Sequence, residues 1–171
     1  MILSRDKDPR LVTVRRGGTL SDDDHHRLAL WAALCAEHVL AHFEGSQGSD
    51  ERPSVAIEKT RAWAQGEIRT TESKVAAYHA NEAARNAPKP AKFAAYAAGQ
   101  AAVVAHVPEH ALGAAAYALR SVAEAGDRAT LIDRVRAERD WQWSQLPIEI
   151  RDLVLEDAHR RDALCWGMFS L

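Results

Sequence analysis

The chain has 171 residues, of which 47% are hydrophobic and 27% are charged, and its formal net charge at pH 7 is -2. These proportions are typical of a folded globular protein and exclude a disordered chain. The length favours one domain that spans residues 1–171 and buries a single core. Since the charge is nearly balanced, the composition does not favour nucleic acid as a partner, and none is expected.

Cysteine usage and hydropathy predict a location inside the cell. Cys35 and Cys165 lie far apart in the sequence, which is typical of free thiols in a reducing cytoplasm. The first ten residues lack the apolar core of a signal peptide, and no apolar run approaches about 18 residues. We therefore expect a cytoplasmic protein that contacts no membrane.

The first predicted helix follows an irregular N-terminal arm, residues 1–20. The glycines at the end of Arg15-Arg16-Gly17-Gly18 permit a turn in this arm. Ser21 is a good N-cap, and Asp24 occupies the acidic position of a capping box. The helix is predicted to span residues 22–43.

This helix carries one stripe of chemically versatile side chains. Trp31, Cys35, His38 and His42 follow one another at helical spacing. Cysteine and histidine are the usual zinc ligands, so the last three can in principle share a metal ion. The alternative is that Trp31 and Cys35 pack in the core while the histidines lie at its edge. We favour this alternative because a structural zinc site normally takes four ligands.

Two shorter helices are predicted next. Pro53 precedes a helix at residues 54–65, which Gly66 ends in the manner of a glycine just beyond a helix C-terminus. A third helix is predicted at residues 70–86, before the helix-breaking segment 86–90.

The stretch at residues 91–119 is close to half alanine and contains Gly99 and Gly113. Helices with such small side chains let their neighbours approach closely, because the distance between axes depends on the residues at the contact. This stretch is therefore predicted to lie at the centre of a helical bundle.

Pro108 divides the alanine-rich stretch. Proline is costly inside a helix and well tolerated at its first position. We therefore predict two helices, residues 91–106 and 108–124, that meet at a kink or a tight corner flanked by His106 and His110. If the helix continues through a kink, the two histidines share one face.

Two further helices are predicted at residues 128–144 and 148–164, and the apolar ending, 164–171, is expected to fold back onto the bundle. About seven helices with short connections and no convincing set of strands predict an all-α bundle around the central alanine-rich pair.

The chain resembles the putative immunity protein family of bacterial polymorphic toxin systems, the one with an immunity-protein-five-like domain. The residues that carry the likeness are Arg15-Arg16-Gly17-Gly18-Thr19-Leu20, Asp24-His25, Leu30-Trp31-Ala32-Ala33, Cys35-Ala36-Glu37-His38-Val39-Leu40, Arg61-Ala62-Trp63-Ala64, Gly66-Glu67-Ile68, Ala105-His106-Val107, His110-Ala111-Leu112-Gly113 and Glu138-Arg139-Asp140-Trp141-Gln142. The resemblance implies a small cytoplasmic protein that binds a cognate toxin protein and neutralises it without catalysis. The sequence is also compatible with a homodimer.

The candidate binding residues are arginine, glutamate and tryptophan side chains, because charged groups that are desolvated at the centre of an interface and exposed indoles act as anchors. Trp141 and Trp143 are two positions apart on a predicted helix, so one of them is expected to face away from the core. The full candidate set is Arg15, Arg16, Trp31, Glu37, Arg61, Trp63, Trp141 and Trp143.

The alternative function is that of a metal-binding protein or a metal-dependent helical enzyme. Its metal ligands are Cys35, His38 and His42 together with His106 and His110, with Glu37 as the nearby carboxylate, and its cofactor is zinc or another divalent metal. The spacing His106-x-x-x-His110 matches the metalloprotease pair, but Glu109 precedes the second histidine, whereas that signature needs glutamate directly after the first. The sequence also lacks a P-loop, a G-x-S-x-G motif and a G-x-G-x-x-G motif. We therefore favour a binder that needs no cofactor.

Overall fold

The computed structural model describes residues 3–4 and 6–171 and shows eight α-helices in this part of the chain. They are α1 (Asp22–His38), α2 (Ala41–Gln47), α3 (Arg52–Ala64), α4 (Thr70–Ala84), α5 (Lys89–Val103), α6 (His110–Glu124), α7 (Leu131–Ser144) and α8 (Ile148–Arg161). Short 3-10 helices lie at Pro9–Leu11, Val14–Arg16 and Asp162–Cys165. The described residues form no strand, so the predicted all-α bundle is confirmed. None of the eight helices in the described ranges combines the length and apolar character needed to cross a membrane.

The alanine-rich pair is the centre of the bundle, as predicted. α5 and α6 each bury nine of their fifteen residues, most of them alanine. α5 packs against α1, α2, α3, α4 and α6. Alanine side chains project little from the helix surface, so several neighbours can pack closely around one helix.

The prediction of one helix at residues 22–43 is wrong in one respect, because this segment forms two helices. α1 ends at His38, where Val39 adopts φ -108° and ψ 3°, and α2 begins at Ala41. Neither glycine nor proline marks this break. The turn carries Val39 and Phe43 into the core, where they are 2% and 0% exposed. Tertiary packing has therefore overridden the local helical preference.

The predicted corner between the alanine-rich helices is present at residues 104–109. α5 ends at Val103 and α6 begins at His110, so Pro108 lies in the turn and not at the predicted first position of the helix. A short-range hydrogen bond from His110 N to Val107 O (3.1 Å) closes this turn. The other predicted helix ends lie within three residues of those observed.

α4 buries its small side chains and exposes its large ones. Val75 is 49% exposed and Tyr78 is 59% exposed. The face that packs against α5 and the core consists of Ser73, Ala76, Ala77, Ala80, Ala83 and Ala84. The close approach of α4 to α5 explains this arrangement, because bulky side chains do not fit between the two axes.

Both ends of the described chain pack onto the bundle. Leu11 and Leu20 anchor the N-terminal arm in the core, and the Ser21 hydroxyl accepts a hydrogen bond from Asp24 N (3.0 Å), which confirms the predicted cap of α1. The C-terminal residues fold back as expected, with Cys165 and Met168 buried.

Gly99 tests the close packing of α4 and α5. A Cβ atom added at this position would lie 2.4 Å from Asn81 Oδ1 and 3.2 Å from the backbone oxygen of Ala77. We predict that Gly99→Leu lowers the free energy of unfolding by roughly 1 to 3 kcal/mol, because the larger side chain forces the helices apart. Urea unfolding measures the change, with Ala137→Leu at an exposed position of α7 as the control. Equal stability of the two variants would show that α5 tolerates a wider spacing.

Candidate functional site

A cleft lies where the N-terminal arm meets the corner between α5 and α6. We name it the arm–corner cleft. Its volume is about 320 Å³, and it is bounded by the arm, the first turn of α1, the loop between α3 and α4, and the corner. The lining residues are Thr13, Arg15, Arg16, Asp22, His25, His26, Trp63, Gly66, Ile68, Thr70, Ala105 and His106.

Arg16 reaches from the arm to the corner. Its Nη1 donates a hydrogen bond to the backbone oxygen of His106 (3.0 Å), and its Nη2 lies 3.4 Å from His106 Nδ1. A guanidinium group only donates hydrogen bonds, so His106 Nδ1 is the acceptor and the ring proton of neutral His106 is on Nε2. The cleft therefore contains a fixed guanidinium group beside an imidazole N–H donor.

His25 and Trp63 form the inner wall of the cleft. The Nε2–H group of His25 donates to the backbone oxygen of Val104 (2.7 Å), and the ring centroid of His25 lies 4.8 Å from that of Trp63 in an edge contact. His26 makes a second edge contact with Trp63 at 5.0 Å. The indole Nε1–H of Trp63 donates to Thr70 Oγ1 (3.2 Å), which fixes the orientation of the ring.

The charge balance of the cleft is positive. Asp22 is its one acidic lining residue, and the Asp22 carboxylate pairs with Arg15 (2.5 Å). Within the described part of the chain, no carboxylate lies within 4 Å of the Arg16 guanidinium. Burial lowers the pKa of His106, and the charges of Arg16 and Lys74 lower it further. Burial is also the main cause of the lowered pKa of His25.

The structure directs the three candidate metal ligands of the first predicted helix to different partners. Cys35 is fully buried, and burial raises the pKa of its thiol well above the ordinary value. His38 Nδ1–H donates to Glu138 Oε2 (2.7 Å). The Ser121 hydroxyl donates to a backbone oxygen, so His42 Nδ1–H donates to Ser121 Oγ (2.8 Å). Hydrogen bonding thus occupies one ring nitrogen of each histidine.

The two corner histidines also have separate surroundings. His106 faces the arm–corner cleft, whereas His110 Nδ1–H donates to Gln100 Oε1 (2.7 Å) inside the bundle. Burial lowers the pKa of His110 to about 4, and the positive charges of Arg161 and Lys7 act in the same direction. In the described ranges, no three His, Cys, Asp or Glu side chains are grouped so that they can hold a metal ion.

The candidate binding residues divide into buried and accessible ones. Trp31 is 1% exposed and donates from Nε1 to the backbone oxygen of Gln142 (2.9 Å), so a partner protein cannot touch it in this fold. Glu37 and Arg61 form a bidentate ion pair between α1 and α3, with N–O distances of 2.8 and 2.6 Å. Their charges are therefore already paired with each other.

The tryptophans at the end of α7 are both half-buried. Trp141 stacks on His38 with ring centroids 3.6 Å apart, and Trp143 stacks between Trp31 and Phe169 at 6.2 and 5.3 Å. The two rings stack on different residues of α1, and Phe169 of the C-terminal segment covers Trp143. Trp141 is thus the more independent of core packing.

Sequence reasoning missed a buried polar cluster beneath the arm. Asp157 and Arg161 are 3% and 1% exposed, and Arg161 Nε donates to Asp157 Oδ1 (2.9 Å). Arg161 Nη2 also donates to the backbone oxygen of Glu109 (2.9 Å), and Lys7 pairs with the Glu109 side chain. Opposite charges four residues apart on a helix are the signal that predicts the first of these pairs. The cluster connects α8 and the arm to the corner and so helps to fix the cleft.

A second and larger cavity, of about 570 Å³, lies between α3 and α4. Val55 and Val75 provide part of its apolar surface and are 37% and 49% exposed. Asp50 and Arg52 at its rim pair with each other (2.6 Å).

A family model described as Imm-5 like putative immunity protein matches residues 18–149. The chain belongs to this family. No curated protein and no solved structure matches the chain at a significant level. The match to the family model confirms the resemblance found in the sequence. The match to the Imm-5 like family includes His25, Trp63 and His106 of the arm–corner cleft, whereas Arg15 and Arg16 precede the matched segment.

His110 predicts a dependence of stability on pH. The pKa of His110 is about 4 in the folded protein, whereas its ordinary value is near 6.5. Between pH 4 and 6.5 the unfolded chain therefore binds more protons at His110 than the folded protein does. The free energy of unfolding should therefore fall as the pH is lowered from 7 to 4. His110 contributes up to about 3 kcal/mol of this loss, since one pKa unit corresponds to about 1.4 kcal/mol.

Urea unfolding at pH 7.0 and pH 4.5 measures this contribution. We expect His110→Gln to lose less stability between the two pH values than the unchanged protein does. His159→Gln, at an exposed position of α8, is the control and should keep the original difference. The same pH difference in His110→Gln as in the unchanged protein would contradict the assignment.

Proposed function

We propose that this chain is an immunity protein that binds one cognate bacterial toxin domain and neutralises it by contact. Membership of the Imm-5 like family is the observation that carries this proposal. Immunity of this kind protects the cell that makes the toxin, so the protein acts in the cytoplasm of a bacterium. Catalysis is not part of the proposed mechanism.

The bundle supports such a role because one continuous hydrophobic core holds its helices together. Its core runs from the arm through α1 to α6 and on to α8 and the C-terminal segment. A surface on a rigid scaffold loses little conformational entropy when it binds, so more of the interaction energy remains as affinity. Side chains held by hydrogen bonds, such as Arg16 and Trp63, are already ordered before contact.

We propose that the toxin contacts the accessible members of the predicted binding set. Arg15, Arg16 and Trp63 line the arm–corner cleft, and Trp141 lies at a separate site on α7. The Glu37–Arg61 pair is half-exposed between α1 and α3. Arginine and tryptophan are enriched among the residues that dominate binding energies at interfaces.

We further propose that neutralisation needs no metal ion. The candidate ligands Cys35, His38 and His42 serve in core packing and in hydrogen bonds between helices. Elemental analysis of the purified protein, before and after a chelator wash, tests this part of the proposal. Zinc, manganese or iron at one equivalent, lost on His38→Ala, would contradict it and favour the metalloprotein alternative.

Co-expression tests the main proposal. The chain is produced in bacteria together with the toxin domain whose gene adjoins its own, with toxin expression under separate control. We expect the chain to restore growth and to co-purify with the toxin at a fixed ratio, because contact alone neutralises it. Light scattering of the free chain and of the complex gives the ratio and shows whether the free chain is a homodimer.

Two controls make the result specific. An unrelated toxin domain should remain lethal in the presence of the chain, and a toxin variant without activity should still bind it. Restored growth without any complex would contradict neutralisation by contact and would favour an enzymatic mechanism. Unrestored growth despite soluble, folded chain would contradict the proposed function itself.

A further inference from the structure

We propose that the arm–corner cleft is the docking site for an acidic segment of the toxin, whose aspartate or glutamate carboxylate binds Arg16 and His106. This inference rests on the proposed function, since it takes the toxin as the partner. It adds the chemistry of the contact and the residues of this chain that provide it.

Arg16 is the strongest reason for a negatively charged occupant. Ten of the sixteen described arginines have a carboxylate within 4 Å. Arg16 is one of the six that have none among the residues that the structure describes, and of these six it is the one that lines the arm–corner cleft. Its contacts with His106 use two of the five N–H groups that a guanidinium carries. The remaining donors are free to bind an oxygen anion, and paired donors of this kind match a carboxylate well.

The backbone contact of Arg16 prepares it for binding. The oxygen of His106 accepts from Arg16 and belongs to the rigid corner of the central helical pair. A guanidinium that is already held in place loses less side-chain entropy on binding than a freely moving one. The same contact leaves the proton of neutral His106 on Nε2, which adds a second type of donor to the cleft.

The surrounding charges favour an anion and oppose a cation. Arg15 balances Asp22, so Arg16 is the uncompensated charge of the lining. Lys74 lies near enough to His106 to act on it through its charge. Oppositely charged surfaces attract each other at an interface and disfavour partners of the wrong sign. A basic segment of a toxin is therefore a poor occupant of this cleft.

The size and the wall of the cleft favour a protein side chain as the occupant. A volume of about 320 Å³ is near the lower limit of ligand pockets, roughly 300 to 1,000 Å³, and suits one or two side chains. The edge contacts of His25 and His26 with Trp63 provide a firm aromatic wall for the methylene groups of an acidic side chain. The net charge of -2 does not favour a nucleic acid as the occupant, because nucleic-acid binding depends on the neutralisation of many phosphates.

Variants at position 16 test the docking site. The dissociation constant for the purified, inactive toxin domain is measured by calorimetry with the full chain. We expect Arg16→Ala to weaken binding by at least about tenfold and Arg16→Glu by at least about a hundredfold, because the first leaves a carboxylate unpaired and the second repels it. Arg16→Lys should recover part of the affinity, since it keeps the charge without the paired donors.

Arg128→Ala is the matched control. Arg128 is also exposed and has no carboxylate within 4 Å in the described part of the chain, and it lies at the far end of α6, roughly 20 Å from the corner. We expect this variant to bind within about twofold of the original chain. Thermal unfolding of each variant verifies that the fold is intact, and raised salt should weaken the original complex more than the Arg16→Ala complex.

A second measurement tests whether the occupant of the cleft carries a negative charge. In NMR spectra of the imidazole groups, the pKa of His106 should rise when the toxin domain binds, because a carboxylate stabilises the protonated ring. Inorganic phosphate is titrated in parallel. If phosphate saturates the cleft while toxin affinity does not depend on Arg16, the occupant is a small anion and the proposal is wrong.

The binding measurements separate an error in the cleft assignment from an error in the proposed function. If the original chain binds the toxin and both Arg16→Ala and Arg16→Glu bind within twofold of it, the toxin docks elsewhere and only the cleft assignment is wrong. If the original chain does not bind the toxin at all, the proposed function is wrong, and the cleft proposal is wrong with it.

Discussion

The close contact between α5 and α6 is the constraint on which the rest of the structure depends. Alanine and glycine along both helices allow four further helices to pack around α5, so this helix has neighbours on almost every side. The same contact fixes the corner at residues 104–109. The candidate site uses this corner directly, because the backbone oxygens of Val104 and His106 accept hydrogen bonds from His25 and Arg16.

The core therefore holds the site in place, and side chains from the surface segments provide its hydrogen-bonding and charged groups. The arm is anchored by Leu11 and Leu20, and the polar cluster of Asp157 and Arg161 links α8 to the corner. Between these anchors, the cleft combines side chains from four separate segments of the chain. This organisation is suited to recognition, since binding residues are most effective when a rigid framework holds them.

The sequence predicted the features that have local causes. Ser21 and Asp24 begin α1, Gly66 adopts φ 76° after α3, and alanine content identifies the central pair. It did not predict the break at Val39, because this turn has no glycine or proline and depends on the burial of Val39 and Phe43 in the core. It named Arg16, Trp63 and His106 as residues of interest, but 90 positions separate Arg16 from His106, so only the fold shows that they meet. For the same reason the stripe of Cys35, His38 and His42 looked like a metal site, although each side chain is directed to a different neighbour.

Hydrogen exchange of the backbone amides, followed by mass spectrometry with and without the toxin domain, tests the account most directly, because it reports where the partner lies on the folded chain. We predict slower exchange in the complex at residues 13–26, 63–70 and 104–107, the segments that line the arm–corner cleft. Exchange in the loop at residues 125–130, at the opposite end of α6, should remain unchanged. Protection confined to α7 and α8, or no protection in a mixture that contains active toxin, would contradict it.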